Sequence, residues 1–242
     1  MSRNTLAVAV FEDLLERILS GELKPREPLP SEPEIAREAD VSRLTVREAL
    51  KTLQAQNIVA VRRGLGTFVN PVEEWTGLEA ILRAASRGTG GDEVALRLLE
   101  VRRMVETGSA ELAAKNARPE HLAAMHESIR ELEDAHAAGD LDRVTVADLA
   151  FHDAVLRASA NPFLPALLGQ LGNLLYSTRR ETSAFVEVQR HAIEHHHLVL
   201  AAIETRKPET ARKAMEDHIN QTYDDYARFI NNQEPNTGAE TA

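Results

Sequence analysis

The sequence predicts a mainly α protein: a small N-terminal unit of helices closed by one β-hairpin, followed by a bundle made of helices only. Three observations predict it. Aromatic residues make up 4% of the 242 positions while Ala, Leu, Glu and Arg abound, a usage that favours helices over sandwiches and barrels. Apolar residues recur with helical period along most of the chain. The exception is a pair of β-prone runs, Ile58-Val59-Ala60-Val61 and Thr67-Phe68-Val69, flanking the glycine turn Arg62-Arg63-Gly64-Leu65-Gly66.

In chain order, Leu6, Val10, Leu14 and Ile18 stand four apart, with Phe11, Leu15 and Leu19 on the adjoining stripe, so the first helix runs to Leu19 and stops at Gly21. The segment Lys24-Pro25-Arg26-Glu27-Pro28 reads as a turn. Ser31 caps the next helix and Glu34, three residues on, completes a capping box; this helix ends near Ala39-Asp40. Ser42 caps a third helix, whose buried face is Val46, Ala49, Leu50 and Leu53. With the hairpin, the N-terminal part is a helix, a helix-turn-helix and a two-stranded wing. Pro71 and the polar stretch after it mark a domain boundary at 72/73. Beyond it, helices are expected at about 78–86, 93–116, 119–137, 142–159, 163–180, 185–205 and 209–230, which places a helical domain over 73–232 and a disordered tail over 233–242.

Hydrophobic residues at 43% and charged residues at 27% are ordinary globular usage. There is no cysteine, so any metal site must be built from His and carboxylate. No run of about 18 apolar residues exists, and acids interrupt the apolar part of the N-terminus; the protein is expected to be cytoplasmic, with no membrane partner. The net charge is −10, but residues 1–70 hold ten bases and ten acids, so all the excess acid lies beyond them. All nine histidines lie between His121 and His218. Two chemistries share one chain.

The first concerns nucleic acid. On the helix after Ser42, Arg43, Arg47 and Lys51 form one stripe beside the buried face, and Leu44 points away from the core. Guanidiniums four apart beside an exposed apolar side chain suit the major groove, where Arg reads guanine and an apolar group meets a thymine methyl. A solvated basic face is the alternative for three charges alone. The basic hairpin tip Arg62-Arg63-Gly64 tips the balance, because a wing there reaches phosphate or the minor groove.

The segments Leu29-Pro-Ser-Glu-Pro-Glu-Ile-Ala-Arg-Glu, Val41-Ser-Arg-Leu-Thr-Val-Arg-Glu-Ala-Leu and Val61-Arg-Arg-Gly-Leu-Gly-Thr-Phe-Val resemble the winged-helix domain of GntR-family bacterial transcription regulators over nearly all of residues 10–69. The resemblance implies DNA contacts from Ser42, Arg43, Thr45 and Arg47 and from the wing residues Arg63, Gly64, Gly66 and Thr67, to which the exposed Leu44 is added. Two positions depart from the family pattern. Pro33 stands where the family usually has a DNA-contacting Arg, and Leu44 where a small polar residue is commoner.

The second chemistry is metal binding. Asp148 and His152 lie four apart, so on a helix they share a face and can hold one ion together, with a surface ion pair as the alternative. His196 and His218 are 22 apart, and their midpoint falls in the break Arg206-Lys207-Pro208. If the two runs form an antiparallel hairpin, the two histidines stand at the same height and can face one another. Of the triple His195-His196-His197, only one can address a given centre. Val199 and Ile203, three and seven residues on, put His196 on the inward stripe, leaving His195 and His197 solvated or behind the ligands.

The order Asp-x-x-Phe-His, Asn-Pro, His and a second His 22 residues later resembles the FCD effector domain of FadR-type GntR regulators, over about 93–230. That resemblance implies an all-helical bundle holding a divalent metal through Asp148, His152, His196 and His218, with coordination positions open to water or a carboxylate effector. Glu100-Val-Arg-Arg-Met-Val-Glu106 resembles the family's first bundle helix, whose Arg often faces the cavity; Arg102 would clamp an effector carboxylate. Zinc is the first choice of metal, with nickel, manganese and iron admissible for this ligand set.

The expected function is therefore that of a dimeric, metabolite-responsive transcription regulator. It would act as a repressor on double-stranded operator DNA and be released or rearranged by a small organic or sugar acid at the metal. Two alternatives share the motifs: a metal-dependent enzyme using three His and one Asp, and a metal-structured DNA-binding protein with no effector. The enzyme reading leaves the basic N-terminal part without a purpose and finds no general base beside the metal.

Overall fold

In the computed structural model, which describes residues 3–88 and 91–231, the described residues form eleven α-helices, one two-stranded hairpin and two short helical turns, Val72–Glu74 after the hairpin and Ala227–Asn231 after the last helix. The tail expected over 233–242 lies outside the described residues. The chain divides into two compact units, Met1–Val94 and Ala95–Ala242. No helix among the described residues is long and apolar enough to cross a membrane.

The first unit is built on α1 (Arg3–Leu19), α2 (Glu32–Glu38) and α3 (Arg43–Ala55). The capping signals act as read. Glu34 accepts from the Ser31 N–H at 2.8 Å and from its hydroxyl at 2.6 Å, and Ser42 Oγ accepts from the Thr45 N–H at 3.1 Å, each satisfying a backbone donor that the helix start leaves orphaned. The apolar stripes of α1 and α3 meet: Leu14, Val46 and Leu53 are fully shielded, alongside Ile35 of α2 and Ile58. Burying side chains of this size stabilises by ~1.5–3 kcal/mol each.

The wing strands β1 (Val59–Arg62) and β2 (Gly66–Val69) pair antiparallel with Val59 opposite Val69 and Arg62 opposite Gly66. Gly64 and Gly66 take φ of +77° and +111°, backbone that a side chain strains, which is why the tip reads Gly-Leu-Gly. The hairpin is not alone. The turn read over 24–28 forms, with the Glu27 N–H donating to Lys24 O at 3.1 Å, but residues 26–29 also lie along β2: the Arg26 N–H donates to Val69 O at 2.8 Å, the Leu29 N–H to Thr67 O at 2.7 Å and the Val69 N–H to Glu27 O at 3.0 Å. Pro28 itself has no N–H to give, so the ladder forms around it. Beyond the wing, Trp75 is buried in the same core and its Nε1–H donates to Asn70 O at 3.0 Å. Helix α4 (Leu78–Gly88) packs here too, through Ala80 and an ion pair of Arg83 to Glu12 at 2.6 Å.

The second unit is helical throughout: α5 (Gly91–Asn116), α6 (Pro119–Ala138), α7 (Leu141–Ala158), α8 (Phe163–Gly169), α9 (Gly172–Thr182), α10 (Val186–Glu204) and α11 (Pro208–Tyr226). Ala110, Ala113 and Ala114 of α5 carry no bulk beyond Cβ, and they pack in one core with Met125, Ile129, Phe151, Val155, Val199, Ile203, Met215 and Ile219 from four other helices. Tight joints set the antiparallel neighbours. Gly139 closes α6 at φ +68° and Asp140 caps α7, accepting from the Arg143 N–H at 3.1 Å. Thr205 to Lys207 join α10 to α11, which opens with Pro208 in its first turn.

One expected helix differs. The run 163–180 is two helices, α8 and α9, broken at residues 170–171. Gly169 and Gly172 bracket the break, and both Leu168 and Leu171 turn inward there; two glycines cost ~2 kcal/mol of helix propensity against alanine, enough for packing to choose the kink.

Candidate metal centre and DNA-facing surface

Five helices of the second unit converge on one buried cluster. α7 contributes Asp148 and His152, one turn apart, α10 contributes His196, and α11 contributes His218. All four are buried, with His196 at 0% exposure. His152, His196 and His218 each offer a ring nitrogen, and these three atoms lie within 4.8 Å of one another. The helical hairpin does what its symmetry about the 205–207 joint promised: the His196 and His218 rings are 4.8 Å apart. Asp148 Oδ1 lies 3.5 Å from His196 Nε2 and Asp148 Oδ2 3.8 Å from His152 Nε2.

The polar atoms of this cluster are under-satisfied. Both nitrogens of His196, Nδ1 of His218 and both Asp148 oxygens have no hydrogen-bond partner. Arg179 Nε comes within 2.6 Å of Asp148 Oδ2, an ion pair whose angle does not make a hydrogen bond. Buried polar groups are seldom left this way, because each forfeits its hydration. A cation among the three imidazoles and the carboxylate would take one nitrogen from each ring and the Asp148 oxygens, so the residues present fit a divalent ion. They are borderline nitrogen and hard oxygen donors, the set that zinc and its neighbours accept.

Electrostatics favours the ligand form of the imidazoles. Burial, reinforced by the neighbouring His152, Arg179 and Arg102, pushes His196 well below the ordinary histidine value, and burial with the neighbouring imidazoles does the same to His218. Both rings are neutral near pH 7, as coordination requires. Phe151 supports the arrangement by stacking on His196 at 4.0 Å between centroids.

Two residues not foreseen from sequence complete the cluster. Glu106, one turn after Arg102 on α5, accepts from His152 Nδ1–H at 2.6 Å and from Arg102 Nε–H at 2.7 Å. This fixes the tautomer, leaving the Nε2 lone pair of His152 toward the centre. Burial alone would raise the Glu106 carboxyl; Arg102 and His152 outweigh it and hold the group well below the usual carboxylate range. Arg179 of α9 is 4% exposed, and burial pushes its guanidinium down to about 10, still a cation at neutral pH. Arg102 and Arg179 both direct Nη2 at His152 Nε2, at 3.1 and 3.2 Å. The lone pair a metal would take is the one these guanidiniums share.

The signal for Arg179 was present but ambiguous. Leu171, Leu175, Arg179 and Thr182 follow helical spacing on an inward stripe, yet Arg180 beside it pairs with Asp142 in solvent, and a double arginine reads equally as surface. Arg102 with Glu106 at i, i+4 has the pattern of an exposed ion pair. Of the triple, His197 is exposed and bonded to Glu133 at 2.8 Å, while His195 lies behind the centre, its ring 5.8 Å from that of His218.

In the first unit, Arg43, Leu44, Arg47 and Lys51 are exposed on α3, with Leu44 at 48%. Arg47 Nε donates to Glu32 at 2.8 Å. Ser42 and Thr45 are joined through their hydroxyls at 2.8 Å, and Thr45 is buried, so this pair holds the helix start while Arg43 and Arg47 project. At the wing tip Arg63, Gly64, Leu65 and Gly66 are exposed, Thr67 is half-buried, and the Arg62 guanidinium lies 4.5 Å over the Phe68 ring.

Comparison with known proteins gives a consistent assignment. Residues 6–69 match the family described as bacterial regulatory proteins, gntR family, and residues 96–221 match the FCD domain. The HTH-type transcriptional regulator LutR of Bacillus subtilis is 34% identical over 214 residues, covering 86% of this chain and 94% of LutR. The galactonate operon transcriptional repressor of Escherichia coli is 31% identical over 155 residues, covering 63% of this chain and 66% of the repressor. A solved structure of Lar, which controls the expression of the Listeria monocytogenes agr system, superposes with a TM-score of 0.57 at 22% identity, covering 92% of this chain and 97% of Lar; at that identity the likeness concerns the fold.

Proposed function

This chain belongs to the gntR family of bacterial regulatory proteins and carries an FCD domain, so it is a transcription regulator rather than an enzyme, and from that premise we propose that it is a repressor that senses a small carboxylate at a metal ion. The observation that carries the reading is the buried triad His152, His196 and His218 beside the Asp148 carboxylate, which accepts no hydrogen bond. These four would hold a divalent ion, zinc first by the chemistry of the set, and the ion would supply a Lewis-acidic site for an anion. Charge argues for the anion. Two buried guanidiniums, Arg102 and Arg179, balance two buried carboxylates, Glu106 and Asp148, so a divalent ion leaves an uncompensated positive charge in a shielded place. A carboxylate effector offsets it, with Arg102 as its second anchor.

In this reading residues 1–72 bind operator DNA and residues 73–232 bind metal and effector and form the dimer. Two α3 helices of a dimer would each read one half-site through Arg43, Leu44 and Arg47, with Ser42 and Thr45 presenting the helix start and Arg63, Gly64, Gly66 and Thr67 of the wing at the backbone. The family resemblance and the name of the galactonate repressor support an organic acid as effector. The effector shifts operator occupancy only by its unequal affinity for the operator-binding and operator-free forms.

The test is fluorescence anisotropy of a promoter fragment with protein stripped by chelator, reloaded with zinc, and reloaded in the presence of a panel of acids, with metal content and mass in solution measured alongside. Release of DNA by an acid only in the metal-loaded dimer is the expected result. Metal-loaded protein that binds DNA tightly and ignores every acid would make the metal structural.

A further inference from the structure

Two cavities meet at Arg102, and they differ in size and lining. One, bounded by Arg102, Arg179 and three threonines together with Ala95, Leu98, Leu99 and Tyr226, holds about 20 Å³, room for a single water. Its threonine hydroxyls are already committed as donors, to Leu174 O at 2.9 Å, Arg179 O at 3.0 Å and His218 O at 3.0 Å. The other holds about 150 Å³ and has Arg102, Glu106 and His152 at its polar end. Its remaining wall is Leu149, Leu156, Leu168 and Leu175 with Gly169 and Gly172, and one further carboxylate, Asp153, which accepts from Arg157 Nε–H at 2.6 Å.

Resting on the effector reading above, we propose that this leucine-lined cavity takes the hydrocarbon tail of a monocarboxylic acid, whose carboxylate sits at the Arg102 and His152 end. The effector class is then a short alkyl or branched acid rather than a polyhydroxylated sugar acid. Three features carry the inference. An apolar cavity of this volume accommodates about six carbons. The four leucines offer no partner to hydroxyls and Asp153 is already engaged by Arg157, so a sugar acid would set most of its hydroxyls unpaired against an apolar wall. The glycines keep the space open: a Cβ built on Gly169 or Gly172 meets no atom within 4 Å, so they are not demanded by packing. Both line the cavity, so a bulkier side chain there has room to narrow it. Glu106 is held by Arg102 Nε and His152, and among the described residues no hydrogen bond takes up the guanidinium Nη1, which is the group we assign to the ligand.

The experiment measures binding of butyrate, hexanoate, 4-methylpentanoate and gluconate to the zinc-loaded full chain by calorimetry, and in parallel the effect of each on operator binding. Each buried methylene strengthens binding about fourfold, so hexanoate should bind at least tenfold more tightly than butyrate and than gluconate. Gly172→Val, which narrows the cavity, and Leu175→Asn, which makes the wall polar, should each weaken hexanoate at least tenfold; the melting transition of each variant shows whether it is folded, and either one suffices. Gluconate binding as tightly as hexanoate, or hexanoate unaffected in a folded variant, overturns the proposal while leaving the effector reading intact. Hexanoate that binds as expected without changing operator affinity overturns the effector reading and keeps the cavity assignment. If no acid binds, both fall.

Discussion

Glu106 illustrates how much one buried side chain decides. It gives no ligand to the centre itself, yet it holds the His152 tautomer and neutralises Arg102. In Glu106→Gln the amide oxygen can accept from only one of these donors, and the amide N–H₂ faces the other. Metal affinity is expected to fall ~10–100-fold, the usual effect of losing a carboxylate behind a ligating histidine. The variant should also lose ~3–5 kcal/mol of stability, because Arg102 is left as a buried charge without its ion partner. Competition with a chromophoric chelator measures the first and denaturant melting the second. A folded variant with unchanged zinc affinity would show that His152 needs no such support. Residue-level reasoning from sequence could not reach this: Glu106 and His152 are 46 positions apart, and nothing local in either segment points to the other.

At the scale of the helix, register governs function. On α10, His196 faces inward with Val199 and Ile203, all three fully shielded, while His197 is turned to Glu133 on the outside. His196→Ala and His218→Ala should therefore each lower the metal content of protein purified without chelator, whereas His195→Ala and His197→Ala should leave it nearly unchanged; mass spectrometry of the metal reads the difference, and equal loss from all four would defeat the register argument. On α3 the same logic places Arg47 outward. Its bond to Glu32 joins side chains that are 61% and 34% exposed, and such surface pairs are worth ~0–1 kcal/mol, little enough for DNA to displace. Arg47→Ala is expected to weaken operator binding by ~1–3 kcal/mol and to flatten the preference for operator over scrambled DNA. Wild-type affinity for both sequences would remove Arg47 from the interface. The caps and periods that set these registers were legible in the chain, since they depend on residues within a turn or two: Ser31 with Glu34, Ser42 with Thr45, Val46 with Leu50 and Leu53. The split of α8 from α9 was not, because Leu168 and Leu171 turn inward for contacts with distant helices.

For the molecule as a whole, the proposed mechanism makes metal and acid each a condition for the other. If the acid completes the metal's coordination, stripping the metal weakens the acid by some factor, and saturating acid must tighten the metal by the same factor, because linkage is reciprocal. Asp148→Ala should then reduce the response of operator affinity to acid, ordinarily ~1–3 kcal/mol, far more than it reduces operator affinity without acid. Titration of DNA with and without acid, for wild type and variant, checks both, and a full response in metal-free protein would rule the metal out of signalling. By itself the sequence determined the fold class, the winged helix-turn-helix, the helical bundle and the inward placement of Asp148, His152, His196 and His218, because periodicity, caps, turns and the symmetry of a hairpin are written within or between adjacent elements. Only the tertiary structure decided that Glu106 and Arg179 join those four residues, that residues 26–29 extend the wing, and that the larger space beside Arg102 is walled mainly with leucine. Each of these depends on elements brought together from far along the chain, where what fills a position is settled by packing and charge balance in three dimensions.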